Sequence, residues 1–168
     1  PTPFEIETAL AYYYFEQNDC DFAVVECGMG GKEDATNVAD NKVLSVLTSV
    51  ALDHTQFLGD TLEKITEQKI GIVKGSPLVS ASQYPEVLAV LKDKISDLTL
   101  ADVSKIVNTK LSFEETIFDY KEYKNIKIKM LGKFQCENAA LALEVIDKLK
   151  ELGYEIDNVY EGMEKALW

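Results

Sequence analysis

The sequence predicts an α/β fold, an open and mostly parallel sheet with a small β insertion late in the chain. Three observations predict it. Short apolar runs alternate with helix-period segments along the first half of the chain. A loop rich in Gly, Asp and Asn follows the first apolar run, where open sheets place their ligand sites. The stretch Thr99 to Met130 then abandons that alternation for Thr, Ile, Val, Phe and Tyr with a partial two-residue period. A length of 168 residues suits one domain.

Phe4 to Gln17 carries apolar residues at helical spacing, with Thr2 as N-cap. Phe22-Ala23-Val24-Val25, within Asp21 to Glu26, reads as a short buried strand. The Gly-rich loop runs from Gly28 to Asn41, and Val43 to Val50 is a second strand. Asp60 to Lys74 is a helix opened by the box-like pair Asp60 and Glu63. Pro77 to Ala81 is a strand, and Pro85 to Leu98 a helix with proline in its first turn. Thr99 to Met130 is a meander or hairpin; Ile126-Lys127-Ile128-Lys129 shows the alternation. Helices follow from about Gln135 to Leu152 and from Ile156 to Leu167.

Composition narrows the function. Apolar residues make up 46% and charged residues 27%, enough for a real core. The net charge of −12 repels phosphate backbones, so nucleic acid is not an expected partner. All 17 cations are lysine, so bidentate arginine clamps are absent, and a bound anion must be held by lysine, backbone N–H groups or a metal. No apolar run approaches the ~20 residues of a membrane span. Three cysteines in no metal pattern and no even disulfide set suggest a reducing cytoplasm. The chain begins at Pro1 and ends on Trp168, and the expectation is a piece of a larger protein.

Three residues stand out chemically. Glu26 ends an apolar run, where a carboxylate suits Mg²⁺ near a nucleotide phosphate; an ordinary exposed glutamate at a strand end has the same pattern. His54, the sole histidine, follows the second strand and would lie beside Glu26; a lone histidine is more often structural. Lys69 takes a position on the apolar stripe Leu62, Ile65, 69, Ile72. Its stem could snorkel, or a desolvated amine could add CO₂ and become a carbamate, an oxygen donor for a hard metal ion. The loop Gly28-Met29-Gly30-Gly31-Lys32-Glu33 is neither a dinucleotide fingerprint, lacking the third glycine, nor a P-loop, lacking Ser or Thr after Gly-Lys.

The run Glu26-Cys27-Gly28-Met29-Gly30-Gly31-Lys32-Glu33-Asp34-Ala35-Thr36-Asn37 resembles the E-x-G-x-G-G-R-x-D-A-T-N signature of folylpolyglutamate and dihydrofolate synthases, within the Mur ligase superfamily. Thr48 to Thr55, Leu58 to Thr61 and Lys69 to Lys74 are similar to the family's next blocks. Gly132 to Ala140 resembles its G-x-H-Q-x-x-N-A block, and Thr2-Pro3-Phe4-Glu5 a further segment. The resemblance implies a central domain of P-loop-NTPase/Mur-ligase type over residues 1–168, incomplete at both ends. Its P-loop would lie upstream and a glutamate-binding domain downstream.

It also implies an ATP-dependent ligase. A substrate carboxylate takes the γ-phosphoryl group, and the amine of L-glutamate attacks the acyl phosphate. The substrate is folate, or dihydropteroate in bifunctional members, and the parent is expected to be monomeric. By position, Glu26 would hold Mg²⁺ on the ATP phosphates, His54 a second metal, and Lys69 would be the carbamylated lysine. Asn138 and Gln135 would contact adenine, and Thr2 with Glu33, Asp34 and Ala35 would lie near the pterin. Two positions depart: Lys32 replaces the signature arginine, and Phe134 replaces the histidine before Gln135. Competing readings are a Mur-type ligase on a peptidoglycan precursor, against which the D-A-T-N block speaks, and a non-catalytic nucleotide-binding or interaction domain.

Overall fold

The computed structural model describes residues 1–167. Helix α1 (Pro3–Gln17) starts at a capping box: the Thr2 hydroxyl accepts from the Glu5 N–H, and the Glu5 carboxylate accepts from the Thr2 N–H at 2.6 Å. Strand β1 (Ser45–Leu47) leads into the single-turn helix α2 (Thr55–Leu58) and then α3 (Leu62–Lys69), which tightens into a 3-10 turn at Ile70–Ile72. Strand β2 (Leu78–Ser80), helix α4 (Pro85–Lys94) and strand β3 (Leu98–Leu100) complete a parallel sheet in the order β1-β2-β3. Helical crossovers between parallel neighbours are the connection such a sheet requires. Strands β4 (Ile106–Leu111), β5 (Thr116–Tyr120) and β6 (Tyr123–Ile128) form an antiparallel meander. Helices α5 (Lys133–Glu151) and α6 (Val159–Lys165) follow.

The mostly parallel α/β class and the late β insertion are as expected, with differences in detail. Residues 21–26 are not a strand. They run without a ladder partner among the described residues, and Val24 is 99% exposed. Apolar β-branched composition sets the tendency to extend, but a strand exists only where a neighbour supplies hydrogen bonds. The meander starts later than Thr99, because Leu98–Leu100 pairs in parallel with β2. The helix expected over 60–74 is α3 with its 3-10 turn, ending at Ile72, and it is capped by Thr61 rather than by an Asp60–Glu63 box; Asp60 instead pairs with Lys64 at 2.8 Å. Helix α2 was too short to show a period.

The parallel sheet buries Leu47, Leu78 and Val50 against Ile65 and Ile70 of the α3 region and Val87 and Leu91 of α4. The meander buries Phe118, Tyr120, Ile126 and Ile128 against Cys136, Ala139, Ala140 and Leu143 of α5. Helix α5 serves both layers, since its Leu141 packs with Val79 of β2 and with Ala101.

One polar assembly is buried in that joint. The Tyr120 hydroxyl donates to Glu144 Oε1 at 2.5 Å and accepts from the Asp102 N–H at 3.1 Å. Lys121 Nζ lies 2.5 Å from the same Glu144 oxygen, and Glu144 is 3% exposed. Burial, then the bond to Glu144, pushes the Tyr120 hydroxyl far above its ordinary range. Tyr120→Phe is expected to destabilise the fold by ~1–3 kcal/mol, because it removes one donor from a buried carboxylate and the acceptor of the Asp102 amide. Urea denaturation of the variant checks this, and an unchanged midpoint would contradict it.

Candidate functional site

The Gly-rich loop adjoins two of the expected site segments, the helix entered after His54 and the end of α3 at Lys69. It is held at both ends. Asp34 caps the 3-10 turn Ala35–Val38, accepting from the Thr36 N–H at 2.9 Å and the Thr36 hydroxyl at 2.6 Å, and its second oxygen accepts from the Met29 N–H at 2.8 Å. Partial burial pushes the Asp34 carboxyl up, but the donors from Thr36, Met29 and Gly28 outweigh it, so the carboxyl sits below the usual range. Phe4 of α1 lies against Gly28, where a Cβ would come within 3.0 Å of the ring.

The other face of the loop meets the end of α3. The Lys32 N–H donates to the Gln68 carbonyl at 2.9 Å. A Cβ on Gly31 would sit 2.6 Å from the Lys69 carbonyl oxygen, and one on Gly71 would sit 2.5 Å from Lys32 Cβ. Only glycine permits so close a backbone approach. The buried Asn37 amide donates to the carbonyls of Lys32, at 3.2 Å, and Gly71, at 3.1 Å, while its oxygen accepts from Lys42 Nζ at 2.6 Å. Lys74 Nζ adds bonds to the Asn37 carbonyl and to Asp40. Burial, and then the neighbouring Lys74 charge, pushes the Lys42 amine below its ordinary range.

Lys69 is the last residue of α3 and is half-buried; Glu26 is exposed. No ion pair among the described residues takes in either one. His54 adopts the left-handed conformation, with φ 49°, just before α2, a region that few non-glycine residues occupy. Its imidazole is half-exposed, 3.6 Å from the Asp53 carboxylate. Helix α2 closes on the loop through Leu58, whose Cδ2 would meet a Cβ on Gly30 at 2.8 Å. Gln83 holds the segment leading to His54: it accepts from the Val50 N–H and donates to the Thr48 carbonyl, each at 2.9 Å. The loop that follows Glu26 therefore touches both the helix entered through His54 and the turn that ends on Lys69.

Glu26 borders a groove of about 280 Å³ with Phe4, Tyr12, Phe15, Val24 and Thr36. Gln135 lines a second depression, of about 260 Å³, with Met130, Leu131 and Phe134. The exposed Asn138 donates to the Gln135 side-chain carbonyl at 3.1 Å, so the two amides act as a pair. Thr2 and Asp34 have side-chain oxygens committed to caps, whereas Glu33 is exposed and Ala35 half-buried.

Among the described residues no three His, Cys, Asp or Glu side chains converge as a metal cage. Glu26 by itself is an exposed carboxylate of the kind Mg²⁺ takes, with water and substrate phosphate completing the shell, whereas the His54 imidazole suits softer metals. Asn37, Lys42, Lys74 and Gln83 had no assigned role in the sequence. Asn37 closes the loop signature and Lys74 closes the 69–74 block, so both lay within recognised motifs, but the bonds they make join segments 34 and 37 residues apart.

The Mur ligase middle domain family matches residues 1–146. The chain is 35% identical to the dihydrofolate synthase/folylpolyglutamate synthase of Bacillus subtilis, over its whole length and 42% of that protein. It is 34% identical to the folylpolyglutamate synthase of Lacticaseibacillus casei, again over 42% of the relative. It superimposes on a solved FPGS–AMPPCP–folate complex with a TM-score of 0.92 at 34% identity, covering all of this chain and 44% of that one. The chain thus spans under half the length of the proteins it matches.

Gly71→Ala should destabilise by ~1–3 kcal/mol, the cost of overpacking, because its Cβ meets backbone and Cβ atoms of Lys32; thermal denaturation reads the loss. Asp34→Ala should cost about 1 kcal/mol as a lost cap. The folded-state carboxyl is lowered, so its contribution is present at neutral pH and disappears as pH falls through the carboxylate range. The stability gap between Asp34→Ala and the unsubstituted chain should therefore close under acid, and a pH-independent gap would contradict the assignment.

Proposed function

We propose, from the premise that this chain belongs to the Mur ligase family and carries its middle domain, that it is the nucleotide-binding middle of an ATP-dependent ligase. That enzyme would join L-glutamate to folate, and to dihydropteroate in a bifunctional parent. The observation that carries this reading is the whole-chain superposition, at 34% identity, on an FPGS bound to AMPPCP and folate. The three free cysteines suit a reducing cytoplasm, and no described helix is long and apolar enough to cross a membrane.

In this reading Glu26, at the entrance to the loop, would hold Mg²⁺, and His54 would hold a second metal ion. Bound Mg²⁺ supplies charge neutralisation between the γ-phosphate and the substrate carboxylate. Lys69, as a carbamate, replaces a cation with two oxygen acceptors beside the loop. Gln135 and Asn138 present amide groups that can pair with the donor and acceptor on the adenine edge, and Phe134 borders the same depression. The pterin rim comprises Thr2 and the Glu33, Asp34 and Ala35 turn. There Thr2 and Asp34 shape the surface through their caps rather than donating to ligand. With no arginine in the chain, Lys32 offers the loop a point charge without the planar fork.

The intact polypeptide that carries this chain tests the reading. ADP release should require folate and L-glutamate together, with the folate gaining one glutamyl mass. Lys69→Ala should lower kcat on the order of 10²-fold, the scale of losing a transition-state electrostatic group, while the fold persists by circular dichroism. The isolated 168-residue chain should show no turnover. Release driven by a UDP-muramyl precursor in place of folate would transfer the assignment to the peptidoglycan branch.

A further inference from the structure

Lys69 is flanked on both sides by bonds to one loop. Gln68, before it, accepts from the Lys32 N–H at 2.9 Å. Gly71, two residues after it, accepts from the Asn37 amide at 3.1 Å. The same amide holds the Lys32 carbonyl, so one buried side chain spans the loop and the turn. Asn37 uses both its donors there, on two carbonyls, and its oxygen accepts from the Lys42 amine at 2.6 Å. Lys69 itself has helical backbone angles, φ −67° and ψ −43°, and the chain tightens into the 3-10 turn directly after it. The loop therefore bonds to α3 and its turn on either side of Lys69, and the Lys69 carbonyl itself lies against Gly31.

We propose that Asn37 is a positioning residue for Lys69, holding the 68–71 turn so that the lysine amine is presented beside the glycine loop in the orientation that accepts CO₂. The step is an addition: the amine nitrogen forms a bond to the carbon of CO₂, one proton leaves to solvent, and the product is a carbamate anion. No oxidant or reductant enters. The inference rests on the ligase reading for what the carbamate is for, but the placement of Lys69 by Asn37 is separate from the identity of the substrate.

The test uses the intact polypeptide equilibrated with ¹³C-bicarbonate and read by ¹³C NMR, the carbamate resonance being assigned by its loss in Lys69→Ala. Asn37→Ala should lower the labelled fraction at fixed CO₂ by about 10-fold, the scale on which outer-shell partners act, and raised CO₂ should restore it. Asn37→Asp should behave as the alanine variant does, since a carboxylate cannot donate to two carbonyls. Lys42→Met, which frees only the amide oxygen, should lower the label less and serves if Asn37→Ala does not fold. Ile126→Ala, in the core of the other sheet, should lower the melting temperature and leave the label intact. Wild-type labelling in folded Asn37→Ala or Lys42→Met would overturn the proposal, as would an unlabelled Lys69 in the unsubstituted protein. Folate-dependent ADP release, measured on the same samples, reports the ligase reading independently: label without turnover sinks that reading and spares this one.

Discussion

Backbone meets backbone where the loop at Gly31 crosses the turn at Gly71, and the arrangement of the candidate site depends on that crossing. Neither position has room for a Cβ: the nearest atoms would lie 2.6 Å from one and 2.5 Å from the other. Two main chains this close leave little room for water, so their carbonyls and amides must find partners within the protein. The Lys32 amide takes one carbonyl and the Asn37 side chain takes two. The result is a loop whose shape is dictated by the helix end it rests on.

The two sheets meet the same need differently. Each alone is small, three strands wide, and neither could bury both its faces. Helix α5 supplies the shared cover, with Leu141 toward the parallel sheet and Cys136, Ala140 and Leu143 toward the meander. The Tyr120–Glu144–Lys121 assembly pins its rotation, since a buried carboxylate tolerates only an orientation that keeps its donors. Because Gln135 and Asn138 lie near the start of that helix, the packing of its middle governs where the amide pair points.

The charge pattern also constrains the site. An excess of 29 acidic over 17 basic residues would repel a nucleotide approaching at random. Lys42 and Lys74 are already engaged around Asn37, and Asp40 neutralises part of their charge. Under the proposed function, an anion at the loop would be held by backbone N–H groups, Lys32 and a divalent ion, a set that would suit a triphosphate carried as its magnesium complex.

The sequence by itself determined the elements with strong local signals. The Thr2 cap, the α3 and α5 periods and the Ile126 to Ile128 alternation are set by contacts within a few residues, and each element is found at the expected place in the chain, with α3 shorter than the 60–74 span. The motif blocks also named the loop, His54, Lys69 and the Gln135–Asn138 pair. Tertiary structure alone decided that residues 21–26 stay unpaired, that Leu98–Leu100 joins the parallel sheet, and that Asn37 bridges to Gly71. A ladder partner or a bond across 34 residues leaves no period in the chain, because it depends on which distant segment arrives alongside. Propensity and pattern act over a few residues, whereas the close approach at Gly31 and Gly71 exists only once two turns have been brought together.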